Sequence, residues 1–106
     1  MICRTVFVLS LAFAPIPALA QMIEGDAQRG RALAVQDCSS CHAIEAHPSP
    51  GEAEALSFRA IAAMPSTTPA AIAAFLSTPH PNMPNYKLSR DEIRDVSAYI
   101  MTLRQR

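Results

Sequence analysis

The sequence predicts an all-α domain. Three helix-start signals are spread along the chain: Asp26 ahead of an alanine-rich segment, Thr68-Pro69, and Ser89 with Glu92 three positions later. Nowhere do apolar and polar residues alternate with the two-residue period of a strand, whereas Ile93, Val96, Ile100 and Leu103 recur at helical spacing.

Residues 1–20 read as a secretory leader. Arg4 supplies the positive start, Val6 to Ala14 the apolar core, Pro15 and Pro17 the break, and Ala18-Leu19-Ala20 the cleavage site. The apolar run is short and proline-broken for a membrane span, so secretion with cleavage after Ala20 is expected, an uncleaved anchor being the alternative. Residues 21–106 then form one domain, and with Cys3 gone only Cys38 and Cys41 remain. Nine basic residues balance nine acidic ones over the 106 residues, and losing Arg4 leaves a net charge of −1. That balance excludes the strongly basic stripe of a nucleic-acid binder. So small a domain, without tryptophan, has a thin core and needs a staple such as a disulfide, a metal or a bound group.

The first helix should start at Asp26 and carry Ala27, Gly30, Leu33 and Ala34 on one face, ending at Cys38. Gly30 costs about 1 kcal/mol of helix propensity relative to alanine, so a packing reason is expected. Ala43 to Ala55 is a loop, with His47-Pro48-Ser49-Pro50-Gly51 at its centre and His47 exposed. Phe58 to Met64 should make one or two helical turns before Pro65. Thr68 caps a helix from Pro69 to about Ser77, with Ile72, Phe75 and Leu76 inward, stopped by Pro79. Pro79, Pro81 and Pro84 then enforce a stiff extended loop suited to holding one side chain in place. The last helix opens on the Ser89/Glu92 capping box, and Arg104 and Arg106 should complement the dipole at its end. Met64 and Met101 read as core.

The chemistry-bearing motif is Cys38-Ser39-Ser40-Cys41-His42, since C-x-x-C-H is the pattern that attaches a c-type haem covalently. Two thiols about one helical turn apart can add to the two vinyl groups of the porphyrin, and the adjacent His42 can offer an imidazole nitrogen to the iron. The same five residues could also serve as a dithiol redox centre, a structural disulfide or half of a zinc site. The dithiol reading lacks a βαβ surround. Zinc would need ligands from among His42, His47 and His80.

Taken together, a glycine-bearing helix leading into C-x-x-C-H, a middle helix, a Met-Pro loop and a final Leu88-to-Ile100 run resemble a small bacterial class I cytochrome c. The resemblance covers essentially all of residues 21–106. It implies about four short helices wrapped around one haem c, with the first and last helices crossing, Gly30 against Tyr99. It also implies Met83, ahead of Pro84, as the distal iron ligand opposite His42, with His80 as the competitor on the same loop. A proline carbonyl that accepts a hydrogen bond from the proximal histidine best matches Pro50. Phe58 would pack near the haem and Arg59 would meet a propionate. With Lys87 as the single lysine, a lysine ring for partner docking is not implied.

The function implied is periplasmic electron transfer. With both axial positions filled there is no open coordination site, so an enzyme is not expected, and a methionine ligand in an apolar surround favours a relatively high potential. Its partners would be an electron donor and an electron acceptor protein, met by a monomer. The alternative is an electron-accepting haem subunit of a periplasmic dehydrogenase or oxidase.

Overall fold

Two helices from opposite ends of the chain cross backbone to backbone, and the remaining elements fill in beside them. A computed structural model describes residues 24–47 and 55–105. The leader and Pro50 lie outside the described residues. Four α-helices follow in order, α1 (Ala27–Asp37), α2 (Phe58–Ala63), α3 (Pro69–Leu76) and α4 (Arg90–Thr102), and a 3-10 turn, Leu103–Gln105, closes the chain. There is no strand among the described residues, in line with the all-α expectation.

Each helix begins where a side chain can satisfy its first unpaired N–H groups. Asp26 accepts from Gln28 and Arg29 N, Ser57 from Ala60 N, and Thr68 from Ala71 N ahead of Pro69. At α4 the capping box is complete, with Ser89 Oγ accepting from Glu92 N while a Glu92 carboxylate oxygen accepts from Ser89 N at 2.6 Å.

The core lies between α4 and the other three helices. Ile93, Val96, Tyr99 and Ile100 of α4 and Leu103 beyond it are buried, as are Ala34 of α1, Phe58 and Ala62 of α2, Ile72 of α3 and the loop residue Ile44. Gly30 supplies the reason for its own presence: a Cβ there would run into the Asp95 carbonyl and stand 2.9 Å from Val96 N. The glycine therefore faces the α4 backbone at Asp95 and Val96, one turn before the expected Tyr99. Gly25 meets the same helix at the Arg94 carbonyl. Beside this contact the Asp95 carboxylate accepts from Asp26 N at 2.6 Å and from Arg29 Nε at 2.9 Å, tying the start of α1 to the middle of α4.

Two expectations are corrected and one is refined. Arg104 does not serve its own helix; its guanidinium donates to the carbonyls of Ala62, Met64 and Thr67, closing the end of α2 from across the core. Phe75 faces inward as expected but lines the central cavity rather than the close-packed core, with its ring stacked on His80. Met64, at the end of α2 where the chain turns to an extended conformation, lines the central cavity instead of the close-packed core, while Met101 packs against the core as expected.

Gly30→Ala is expected to destabilise the protein by about 1–3 kcal/mol as overpacking, although the same change on an open helix face would stabilise it. A lower midpoint in urea unfolding checks the sign. The hydrogen bond from Arg29 holds the Asp95 carboxyl below the ordinary carboxylate range, with burial opposing and the Asp26 N–H adding to it. A depressed folded-state pKa contributes stability that is whole above the unfolded value of about 3.9 and is lost as pH falls through the folded value. Unfolding free energy should therefore decline with acidification below about pH 4, and Asp95→Asn should flatten that decline in urea titrations run across the range.

Candidate functional site

The turn that ends α1 carries the motif. Cys38 N donates to Ala34 O, and Cys41 N and His42 N both donate to Cys38 O, so the helical path continues tightly through the two cysteines. Cys38 and Cys41 are half-buried free thiols. Burial, then the Asp37 carboxylate, pushes the Cys38 thiol up to about 11. A redox dithiol needs a thiolate near neutral pH, so this environment disfavours that use of the motif. Among the described residues no three His, Cys, Asp or Glu side chains gather as ligands for a metal ion, which leaves the zinc alternative without a site.

His42 is held from the far side of the next loop. Ala55 N donates to Cys41 O at 3.0 Å and Phe58 N to Ala43 O at 2.9 Å, and between them His42 Nδ1 lies 2.6 Å from Leu56 O. A carbonyl can only accept, so Nδ1 carries the hydrogen, and in the neutral imidazole that leaves the lone pair on Nε2. The Leu56 carbonyl is the acceptor that faces His42 Nδ1 here, and Pro50, for which such a contact was expected, lies outside the described residues. Nothing in the sequence marks the Leu56 carbonyl, because a main-chain acceptor leaves no side-chain signature. The Phe58 ring packs against the imidazole, centroids 5.5 Å apart, and against Tyr99 at 6.4 Å. Tyr99 in turn donates to Ile44 O at 2.7 Å, and Arg31 pairs with Glu45, so α1 and α4 both pin the two residues just past Ala43.

Next to this turn lies a cavity of about 510 Å³. Its walls come from the end of α1, from α2 and α3 and from the proline-rich loop, and Val96 and Ile100 of α4 form its back. Cys38, His42, Phe58 and Met83 all line it, as do Met64 and His80; Cys41, three residues after Cys38 on the same turn, is not part of the lining. Arg59 is not part of it either, since it donates to Ala46 O at 2.9 Å and braces the loop after the motif. The loop reverses at Asn82, whose φ of 66° is in the left-handed region that asparagine tolerates better than most residues, and this brings Met83 N to within 3.4 Å of His80 O. Tyr86, which the sequence did not single out, also faces the cavity.

A largely apolar cavity with a thiol, a lone-pair imidazole nitrogen and a thioether on its walls suits a flat, apolar, iron-bearing macrocycle. An all-helical chain built around such a site has the organisation of a c-type cytochrome. The chain belongs to that group: residues 25–100 match the family described as cytochrome C oxidase, cbb3-type, subunit III. It is also 39% identical over 97 residues to cytochrome c-552 of Bradyrhizobium diazoefficiens, an alignment covering 92% of this chain and 89% of that protein. No solved structure matches. Membership makes this a haem c protein of electron transfer, with the group covalently bound.

Phe58 is 4% exposed and touches both His42 and Tyr99, so Phe58→Ala should cost about 3–5 kcal/mol as a core cavity. Thermal unfolding followed by far-UV circular dichroism measures the loss.

Proposed function

We propose that the protein is a periplasmic electron carrier, its haem attached through Cys38 and Cys41 and its iron held by His42 Nε2 and the Met83 thioether. The observation that carries this reading is that His42 and Met83, 41 positions apart in sequence, line one apolar cavity beside the attachment turn. The haem supplies one-electron exchange between ferrous and ferric iron. The chain's own residues orient and enclose it. Leu56 O fixes the tautomer and ring plane of His42, Phe58 restrains its face, and the proline-bounded loop presents Met83 with little conformational entropy left to lose. The apolar lining excludes water and disfavours the extra charge of the ferric state, which raises the potential. Among the described residues no helix is long and apolar enough to cross a membrane. The leader-like residues 1–20 support export.

The matched family's description names an oxidase subunit, which favours a second reading as the electron-accepting haem subunit of such a complex. Gel filtration of the protein extracted from its native envelope separates the two, since a free carrier elutes at the size of one small domain and a subunit elutes with its complex.

Met83→Ala is expected to leave the haem attached, abolish the long-wavelength iron–sulfur charge-transfer band of the ferric protein and lower the midpoint potential. His80→Ala should change neither. Absorption spectra and a redox titration of the two variants check this, and the reverse pattern would make His80 the distal ligand.

A further inference from the structure

Besides Met83, the cavity wall holds a second strong candidate donor for iron on the same loop. His80 stands three residues earlier, flanked by Pro79 and Pro81, and its ring also lines the cavity. The prolines restrict the backbone at His80, so what the imidazole can reach is decided mainly by its side-chain torsions. One neighbour lies directly on that ring. The His80 ring stacks on Phe75, with centroids 3.4 Å apart and planes 23° from parallel. Phe75 sits one position before the end of α3 and lines the same cavity as His80 and Met83, so its ring stands between α3 and the imidazole at the site itself. Imidazole is a harder and more basic ligand than a thioether and suits ferric iron better. An unrestrained His80 would therefore compete with Met83 for the iron.

We propose that Phe75 is a positioning residue that sets ligand choice: by stacking on His80 it keeps the imidazole against α3 and leaves the sixth coordination position to Met83. This rests on the reading of Met83 as the distal ligand. The role differs from simple wall-filling in what its loss produces. Loosening of the wall alone would admit water and give high-spin iron, whereas release of His80 gives low-spin iron with two imidazole ligands.

The test uses the haem-loaded protein and the variant Phe75→Leu, which keeps apolar bulk at the cavity wall and removes the stacking face. Electron paramagnetic resonance of the ferric state should show a second low-spin species absent from the wild type, with a matching partial loss of the iron–sulfur band and a second, lower-potential wave in the redox titration. Adding His80→Gln to Phe75→Leu should remove that species and restore the single methionine-ligated signal. The proposal is overturned if Phe75→Leu gives the wild-type signal alone, gives only high-spin iron, or gives a new species that persists in the double variant. Met83→Ala, measured alongside, separates this from the underlying reading: if that variant keeps the iron–sulfur band, the assignment of Met83 fails, whatever Phe75→Leu does.

Discussion

The contact between Gly30 and the α4 backbone at Asp95 and Val96 is the constraint on which the other features depend. Without a side chain at position 30, α1 can lie directly on α4, and Asp95 then turns its carboxylate onto Asp26 N and Arg29. The direction of α1 fixes where its last turn ends, and therefore where Cys38, Cys41 and His42 stand. The same crossing leaves Val96 and Ile100 of α4 as the back wall of the cavity into which that turn opens. One helix pair thus sets both the attachment point and the surface behind it.

From this frame the reactive side chains are placed by loops that are themselves held at several points. His42 follows a helix but takes its orientation from residues 55–58, which hydrogen-bond to Cys41, to His42 and to Ala43 in turn. Met83 lies on a segment with too many prolines for regular structure, reversed at Asn82 and bounded by the α4 capping box. Arg104 closes the opposite wall by gathering three carbonyls between Ala62 and Thr67. Helices supply the rigid scaffold and loops supply the chemistry, as is common where a bound group must be gripped from several directions.

What could be read from the sequence follows the range of the forces involved. Helix starts at Asp26, Thr68 and Ser89 are local, since each cap bonds to N–H groups two or three residues away, and all three fall where the side chains indicated. The apolar stripe of α4 was equally plain. Partner choice was not. Gly30 signalled a close approach without naming the residues approached, because glycine reports missing volume and nothing about its neighbour. Arg59 and Arg104 each carry a long side chain whose target, Ala46 in one case and the end of α2 in the other, depends on distant chain. Phe75 faces inward as periodicity indicated, but that its ring would stack on a histidine five residues later was not legible. The Leu56 carbonyl left no trace in residue type at all.

The meeting of α1 and α4 also bears on the order of events during biogenesis. Asp26 and Asp95 are 69 positions apart, so closing that contact carries a length-dependent entropy of about 4 kcal/mol, and it cannot begin until residue 95 has been made. Until then α1 has no surface to cover its apolar stripe, and an isolated helix of 11 residues is marginal in water. Cys38 and Cys41, just beyond it, therefore lie on an unclosed stretch of chain until that contact forms. Late closure of the terminal helices gives thiols that end up half-buried an interval in which they can be reached.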